Sequence, residues 1–308
     1  MPPTDSDSLA RRLEILRLPV VTLTRVRYPR ARWSDTAGEW EPFPCATGVG
    51  PGRELLHLFR GRAGSSGSAL VTRSTEGGAD FAVSTVLHDV PDGVGHPQPM
   101  PGDAVLLTYS SDGTANAGVW DREGRQVAAG DLGTARHTIL TTPTGRVWVA
   151  YFDEAISGPG PCVLARFGPD LVEEWRYDLY SMPEAIDCYA LNVDGETATA
   201  LDDHRGLTQV ADDGWRRLGE VPVNGGGNLI LDGDRVVVVG GYGPEYDLLT
   251  PLRIDGDGVH RAGPPQRLVF PDGMEFTPNP RTSRGRSLTV VRHKQSPYRL
   301  DLADVAFD

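Results

Sequence analysis

One element recurs six times along this chain: a turn glycine followed by a run of β-favouring residues. It stands as GPGRELLHLF, MPGDAVLLTY, TPTGRVWVAY, NVDGETATAL, LDGDRVVVVG and TSRGRSLTVV, with the glycines at Gly52, Gly102, Gly145, Gly195, Gly233 and Gly285. Their spacings are 50, 43, 50, 38 and 52 residues, a loose repeat of the kind that unequal loops between like units produce. A length of 308 residues suits two ordinary domains or one large all-β domain, and the repeat decides for one.

Each unit holds four strands around its glycine. In the third, RHTILTT precedes the glycine, RVWVAYF follows it, and CVLARFG and LVEEWRYDL come after a loop. The fourth gives CYALNV, ETATAL, LTQVAD and WRRLGEV in the same order. Second strands as apolar as RVVVVGG belong to sheets buried on both faces between neighbouring sheets. The 37 glycines and 25 prolines are spread along the chain, which suits many turns and short strands. Trp120, Trp148, Trp175 and Trp215 are expected between sheets. One helical pattern stands out, DSLARRLEILRL at 7–18, where Asp7 or Ser8 can cap a segment with Leu9, Leu13 and Leu16 on one side.

The segments VWDREGRQVAAGDLG (119–133) and RFGPDLVEEWRYDL (166–179) are similar to the third-strand, turn, fourth-strand halves of quinoprotein-type and related bacterial propeller repeats. The chain therefore resembles an all-β, six-bladed β-propeller, and the resemblance is architectural. No WD dipeptide closes the blades, no regular kelch di-glycine recurs, and no Asp-box run is present. Residues 1–18 are expected as an N-terminal extension, partly disordered or a short helix, and 19–308 as a single propeller domain. The sixth unit ends without an outer strand, while PVVTLTRVRY (19–28) has no blade of its own. The expectation is that this N-terminal strand completes the last blade and closes the ring. Residues 29–52 and 73–100 are long enough to hide a seventh blade.

A net charge of -12 opposes binding to a nucleic-acid backbone. The one basic concentration, RVRYPRAR with Arg25, Arg27, Arg30 and Arg32, fits a solvated edge strand. Cys45, Cys162 and Cys188 have neither disulfide-framework nor zinc spacing, and a reducing cytoplasm suits them. No signal-peptide pattern and no apolar run of membrane-spanning length is read in the chain, so neither export nor a membrane partner is expected.

In a propeller, loops between blades and loops between second and third strands open on one face. Before the inner strands stand His96, Arg136 with His137, Asp187, Asn224, and Glu275 with Asn279. After the second strands stand Arg60 and Arg62, Asp112, Asp153 with Glu154, Asp202 to His204, Tyr242 with Glu245 and Asp247, and Arg292 with His293. His96, His137 and Asp187 lie 6, 8 and 8 residues before their turn glycines and are the candidate catalytic group, as acid, base or metal ligands. Asp187, Asn228 and Asn279 resemble the hard-oxygen set of gluconolactonase-type propellers, which implies a divalent metal in the channel, although their flanking residues differ from that family's. The run NGGGN (224–228) suits close backbone approach. GYGPEYD (241–247), with Tyr242, Glu245 and Tyr246, is the loop best suited to face a ligand or partner. The functional expectation is a small ligand, peptide or protein bound at this mouth. The alternative is a lyase, hydrolase or cyclising enzyme acting on a small metabolite there.

Overall fold

The computed structural model describes residues 5–28, 40–41, 43–61, 67–76, 83–110, 115–153, 162–178, 185–276, 281–292 and 296–308. It opens with α1 (Asp5–Ile15) and two short strands, β1 (Val20–Thr22) and β2 (Thr24–Arg25). Four four-stranded antiparallel blades follow. Blade one is β3 (Ala46–Val49), β4 (Leu55–Arg60), β5 (Ser68–Ser74) and β6 (Val83–His88). Blade two is β7 (Gly95–Pro99), β8 (Val105–Thr108), β9 (Ala117–Trp120) and β10 (Gln126–Gly130). Blade three is β11 (Arg136–Thr141), β12 (Val147–Tyr151), β13 (Cys162–Phe167) and β14 (Glu173–Asp178). Blade four is β15 (Cys188–Asp194), β16 (Thr197–Asp202), β17 (Gly206–Ala211) and β18 (Gly214–Glu220).

Blade five holds β19 (Asn228–Asp232), β20 (Arg235–Val239) and the long β21 (Leu248–Asp255). Its outer edge is split, with β22 (Gly258–Arg261) on one half of β21 and β23 (Gln266–Val269) on the other. Blade six is β24 (Arg281–Arg284), β25 (Ser287–Arg292) and β26 (Ser296–Asp301). The chain is a six-bladed β-propeller. The N-terminal segment closes it twice: β1 runs parallel to β23 outside blade five, and β2 pairs antiparallel with β26 outside blade six. Val21 and Leu23 bury into the cluster shared by these blades, beside Phe270, Phe276 and Leu300. Apolar second strands explain the packing. Val147, Trp148, Val149 and Ala150 of β12 are all buried because both faces of the blade meet a neighbour. Trp120 and Trp148 lie in the core as expected, whereas Trp215 is 47% exposed and rests edge-on against Tyr177.

The axis of the ring is not an open tunnel, because β24 crosses it. The Ser283 hydroxyl donates to the carbonyl of Leu191 in blade four, and the carbonyl of Gly285 accepts from Leu231 N–H of blade five. The side-chain amide of Asn192 donates to Leu229 and Gly285 carbonyls. Arg284, buried, donates to the carbonyl of Val49 at 2.5 Å, the carbonyl of Thr141 at 2.6 Å and Oε1 of Gln98 at 2.7 Å, so it reaches blades one, three and two. Burial pushes its pKa down to about 9, which leaves it a buried cation at neutral pH. The molecule thus has two separate mouths. One is formed by the loops between blades, the other by the turns after the inner strands.

Candidate functional site

At the loop-face mouth, three inner strands break register. β7 passes from Gly95 paired with Thr108 to Gln98 paired with Leu106. β11 passes from Arg136 paired with Tyr151 to Thr138 paired with Ala150, and β15 from Cys188 paired with Asp202 to Ala190 paired with Leu201. The residues left out of the ladders are His96 with Pro97, His137, and Tyr189. A bulge bends a strand and re-aims the side chain it carries, and such features gather beside functional sites. His96 also holds a positive φ of 45°, an uncommon conformation for a residue with a Cβ. This register places Tyr189, and not Asp187, at the position that His137 occupies in the preceding blade. The turn after β11 spans five residues and that after β15 two, so counting back from the turn glycines carries the difference in turn length into the register.

The group at this mouth is cationic and aromatic. His137 stacks on Phe152 with ring centroids 4.1 Å apart, and its Nδ1 donates to the carbonyl of Cys188 at 3.2 Å. A carbonyl can only accept, so this bond leaves Nε2 as the basic nitrogen of the neutral ring. Burial holds the His137 imidazole below its ordinary pKa, with the charge of Arg281 adding to the effect. His96 is reached by solvent, yet the protein around it depresses its pKa through desolvation, aided by the charges of Arg136 and His137. Burial likewise lowers Arg136, which Tyr151 and Asp131 oppose. The pKa of Arg281, at the start of β24, is lowered by burial, and among the described residues it has no ion-pair partner and its buried Nη1 no hydrogen-bond partner. Its guanidinium lies over Phe276 at 5.7 Å. A Cβ on Gly227 would come within 2.2 Å of Nη2 of Arg281, so the glycine run of 224–228 leaves room for this arginine.

The remaining candidates are dispersed. Asp187 is tied through its backbone to Asp203, whose carboxylate accepts from the N–H groups of Ile186 and Asp187. Tyr242, 57% exposed, packs edge-on against Tyr189, and the two hydroxyls are hydrogen-bonded. Asn228 is buried and donates to the Ser283 hydroxyl at 3.4 Å, a contact within the crossing of the axis. His204 is exposed beside Asp203. Glu245, Tyr246 and Glu275 are engaged by the N-terminal helix. Arg11 contacts Glu245 at 2.8 Å, Arg12 lies over the Tyr246 ring at 4.5 Å, and Arg12 contacts Glu275 at 3.2 Å. Glu154, Asn279 and His293 lie outside the described residues, as do Arg30, Arg32, Arg62 and Asp112. Among the described residues no three His, Cys, Asp or Glu side chains are grouped to hold a metal ion. Arg281, Tyr189 and Phe152 were not singled out from the sequence. Arg281 could have been, since it stands where an inner strand begins.

No protein-family model matches the sequence, and no curated protein matches it. Solved structures share its architecture. A catalytically inactive variant of virginiamycin B lyase from Staphylococcus aureus, with quinupristin, superposes with a TM-score of 0.50 at 10% identity, over 91% of this chain and 99% of that one. The WD40 repeats of RRP9 give 0.48 at 12% identity, over 84% and 79%. BamB from Moraxella catarrhalis gives 0.45 at 10%, over 83% and 82%. At such identities the likeness is one of fold, and enzymes and scaffolds alike use it. Among the described residues no helix is long and apolar enough to cross a membrane.

Proposed function

We propose that the loop-face mouth binds a small organic anion. The observation that carries this reading is the half-buried Arg281, whose buried Nη1 has no hydrogen-bond partner and which has no ion-pair partner among the described residues, beside His137, His96 and Arg136. A buried cation without a counter-charge is costly, and a carboxylate or similar group would relieve that cost. Phe152, Tyr189 and Tyr242 supply flat apolar walls for the rest of the ligand. Cysteines at 45, 162 and 188, with neither disulfide-framework nor zinc spacing, suit a reducing compartment such as the cytoplasm.

Burial lowers the pKa of both histidines from its ordinary value and so favours their neutral form near neutral pH. As the pH falls through those values the site gains positive charge, so anion affinity should rise. Calorimetric titration with benzoate, ionised throughout the range, is expected to show tighter binding at pH 5.5 than at pH 7.5. Arg281→Met should weaken binding at least tenfold at both pH values while leaving the thermal midpoint unchanged or higher, since it removes a half-buried charge with no ion-pair partner among the described residues. Saturable binding that survives Arg281→Met would refute the reading, as would no binding at either pH.

A second reading rests on the fixed tautomer of His137. With Nδ1 committed to the carbonyl of Cys188, Nε2 is oriented as a general base, and the bound anion would be a substrate. In that case His137→Gln should abolish turnover and keep anion binding.

A further inference from the structure

The mouth on the opposite face carries a second constellation. A cavity of about 310 Å³ opens among the turns after the inner strands, lined by Arg53, Pro143, Asp194, Asp232, Arg284 and Arg286 among others. Such a volume is near the lower end of ligand pockets, ~300–1,000 Å³. It brings charges of both signs together: Arg53 of blade one, Arg286 of blade six, Asp194 of blade four and Asp232 of blade five. Neither Arg286 nor Asp194 has an ion-pair partner among the described residues, and Asp232 contacts Arg235 at 3.0 Å. Asp194 leans toward the turn of blade six, its Oδ1 3.2 Å from where a Cβ of Gly285 would stand. The floor is Arg284, each of whose three nitrogens already donates, to Val49, Thr141 and Gln98, with the charge of Glu54 acting on it.

Arg53 brings a strained backbone to this pocket. In blade three the turn is closed by Thr142 N–H to the carbonyl of Arg146 at 2.9 Å and Gly145 N–H to the carbonyl of Thr142 at 3.0 Å. Blade one repeats both bonds, from Gly50 N–H to the carbonyl of Glu54 at 2.9 Å and from Arg53 N–H to the carbonyl of Gly50 at 3.0 Å. Arg53 thus stands where Gly145 stands, with φ of 61° against 91°. Blade two holds Asp103 at the matching position with φ of 62°, while glycines take the left-handed position in the shorter turns of blades four, five and six, at Gly195, Gly233 and Gly285. A side chain in this conformation costs of order 1–3 kcal/mol, and such strain collects at ligand sites. Here the strained residue lines the cavity, and its Nη1 forms an ion pair with Asp301 at 3.7 Å, beyond hydrogen-bond range.

We propose that this second mouth binds a small zwitterion of amino-acid or dipeptide size, its carboxylate toward Arg53 and Arg286 and its ammonium toward Asp194 and Asp232. Charges of both signs around one cavity favour a ligand that carries both and disfavour either alone.

The test is calorimetric titration with alanine and with alanylalanine, set against N-acetylalanine, which keeps only the carboxylate, and alaninamide, which keeps only the ammonium. At least one zwitterion should bind saturably, and the single-charge analogues of similar size at least tenfold more weakly. Which of the two zwitterions binds better separates a free amino acid from a peptide. Arg53→Gly and Asp194→Asn should each weaken binding at least tenfold. Arg53→Gly should also hold or raise the thermal midpoint, since glycine adopts this φ without strain. Absence of binding by both zwitterions, equal binding of a single-charge analogue, or binding indifferent to Arg53→Gly and Asp194→Asn would each overturn the proposal.

Discussion

Arg284 shows how one residue can set the interior of a ring. Its planar fork meets three acceptors on three blades, an arrangement a lysine ammonium on a flexible stem would not reproduce. Replacing it by methionine leaves the carbonyls of Val49 and Thr141 and the amide oxygen of Gln98 without these donors in a dry interior. The expected loss is ~3–5 kcal/mol, in the range for breaking a buried charged network, and Arg284→Lys should lose nearly as much. Denaturant titration measures both variants, and a loss below ~1 kcal/mol for methionine would contradict the account. The same scale explains why His137 was legible in the sequence and Tyr189 was not. A histidine beside an arginine at the start of a strand draws attention as chemistry. A tyrosine in an apolar strand looks like packing until the bulge at Cys188/Ala190 turns it to the mouth.

Helix α1 makes the corresponding point for an element. The sequence displays Leu9, Leu13 and Leu16 as an apolar side, yet all three are exposed, and the helix is anchored by Ile15 and Arg12. Arg12 donates to both carboxylate oxygens of Asp247, at 2.6 and 2.8 Å, and to the carbonyl of Pro244. Asp247 is fully buried, so the helix supplies the charge that allows a carboxylate there. Arg12→Met should therefore cost ~3 kcal/mol, because it strips the two-point partner from a buried anion and leaves Arg267 at 3.9 Å as the nearer remaining cation. Adding Asp247→Leu to Arg12→Met should recover part of that loss, since a pair removed together leaves no orphaned charge. Thermal midpoints of the two single variants and the double variant decide it, and a double variant less stable than either single one would contradict the mechanism.

For the whole molecule, closure is the feature on which stability turns. β1 and β2 cover the outer edges of blades five and six, and Val21 and Leu23 fill the cluster between them. Deleting residues 1–25 would bare the edges of β23 and β26, rows of unpaired N–H and C=O groups ready to pair with another chain. The truncated chain should unfold at a lower temperature and self-associate, as calorimetry and light scattering would report. An unchanged midpoint with a monodisperse particle would show that the ring holds without its closing segment.

The repeating glycines and apolar second strands determined the six blades, and the unpaired strand at 19–28 determined that the N-terminus closes them, because burial on both faces writes itself into local composition. That same locality is why the sequence did not disclose the bulges, the crossing of the axis by β24 or the docking of Glu245, Tyr246 and Glu275 on α1. A bulge depends on which residue of the partner strand lies opposite. Arg284 and Arg281 differ by three positions in one strand, yet one donates to three blades and the other lacks a partner for its buried Nη1 among the described residues. Asp194 and Arg53 face one cavity from blades far apart in the chain. Charge complementarity at such distances is a property of the closed ring, where turn lengths and strand registers add around the circle, and only the tertiary structure fixes their sum.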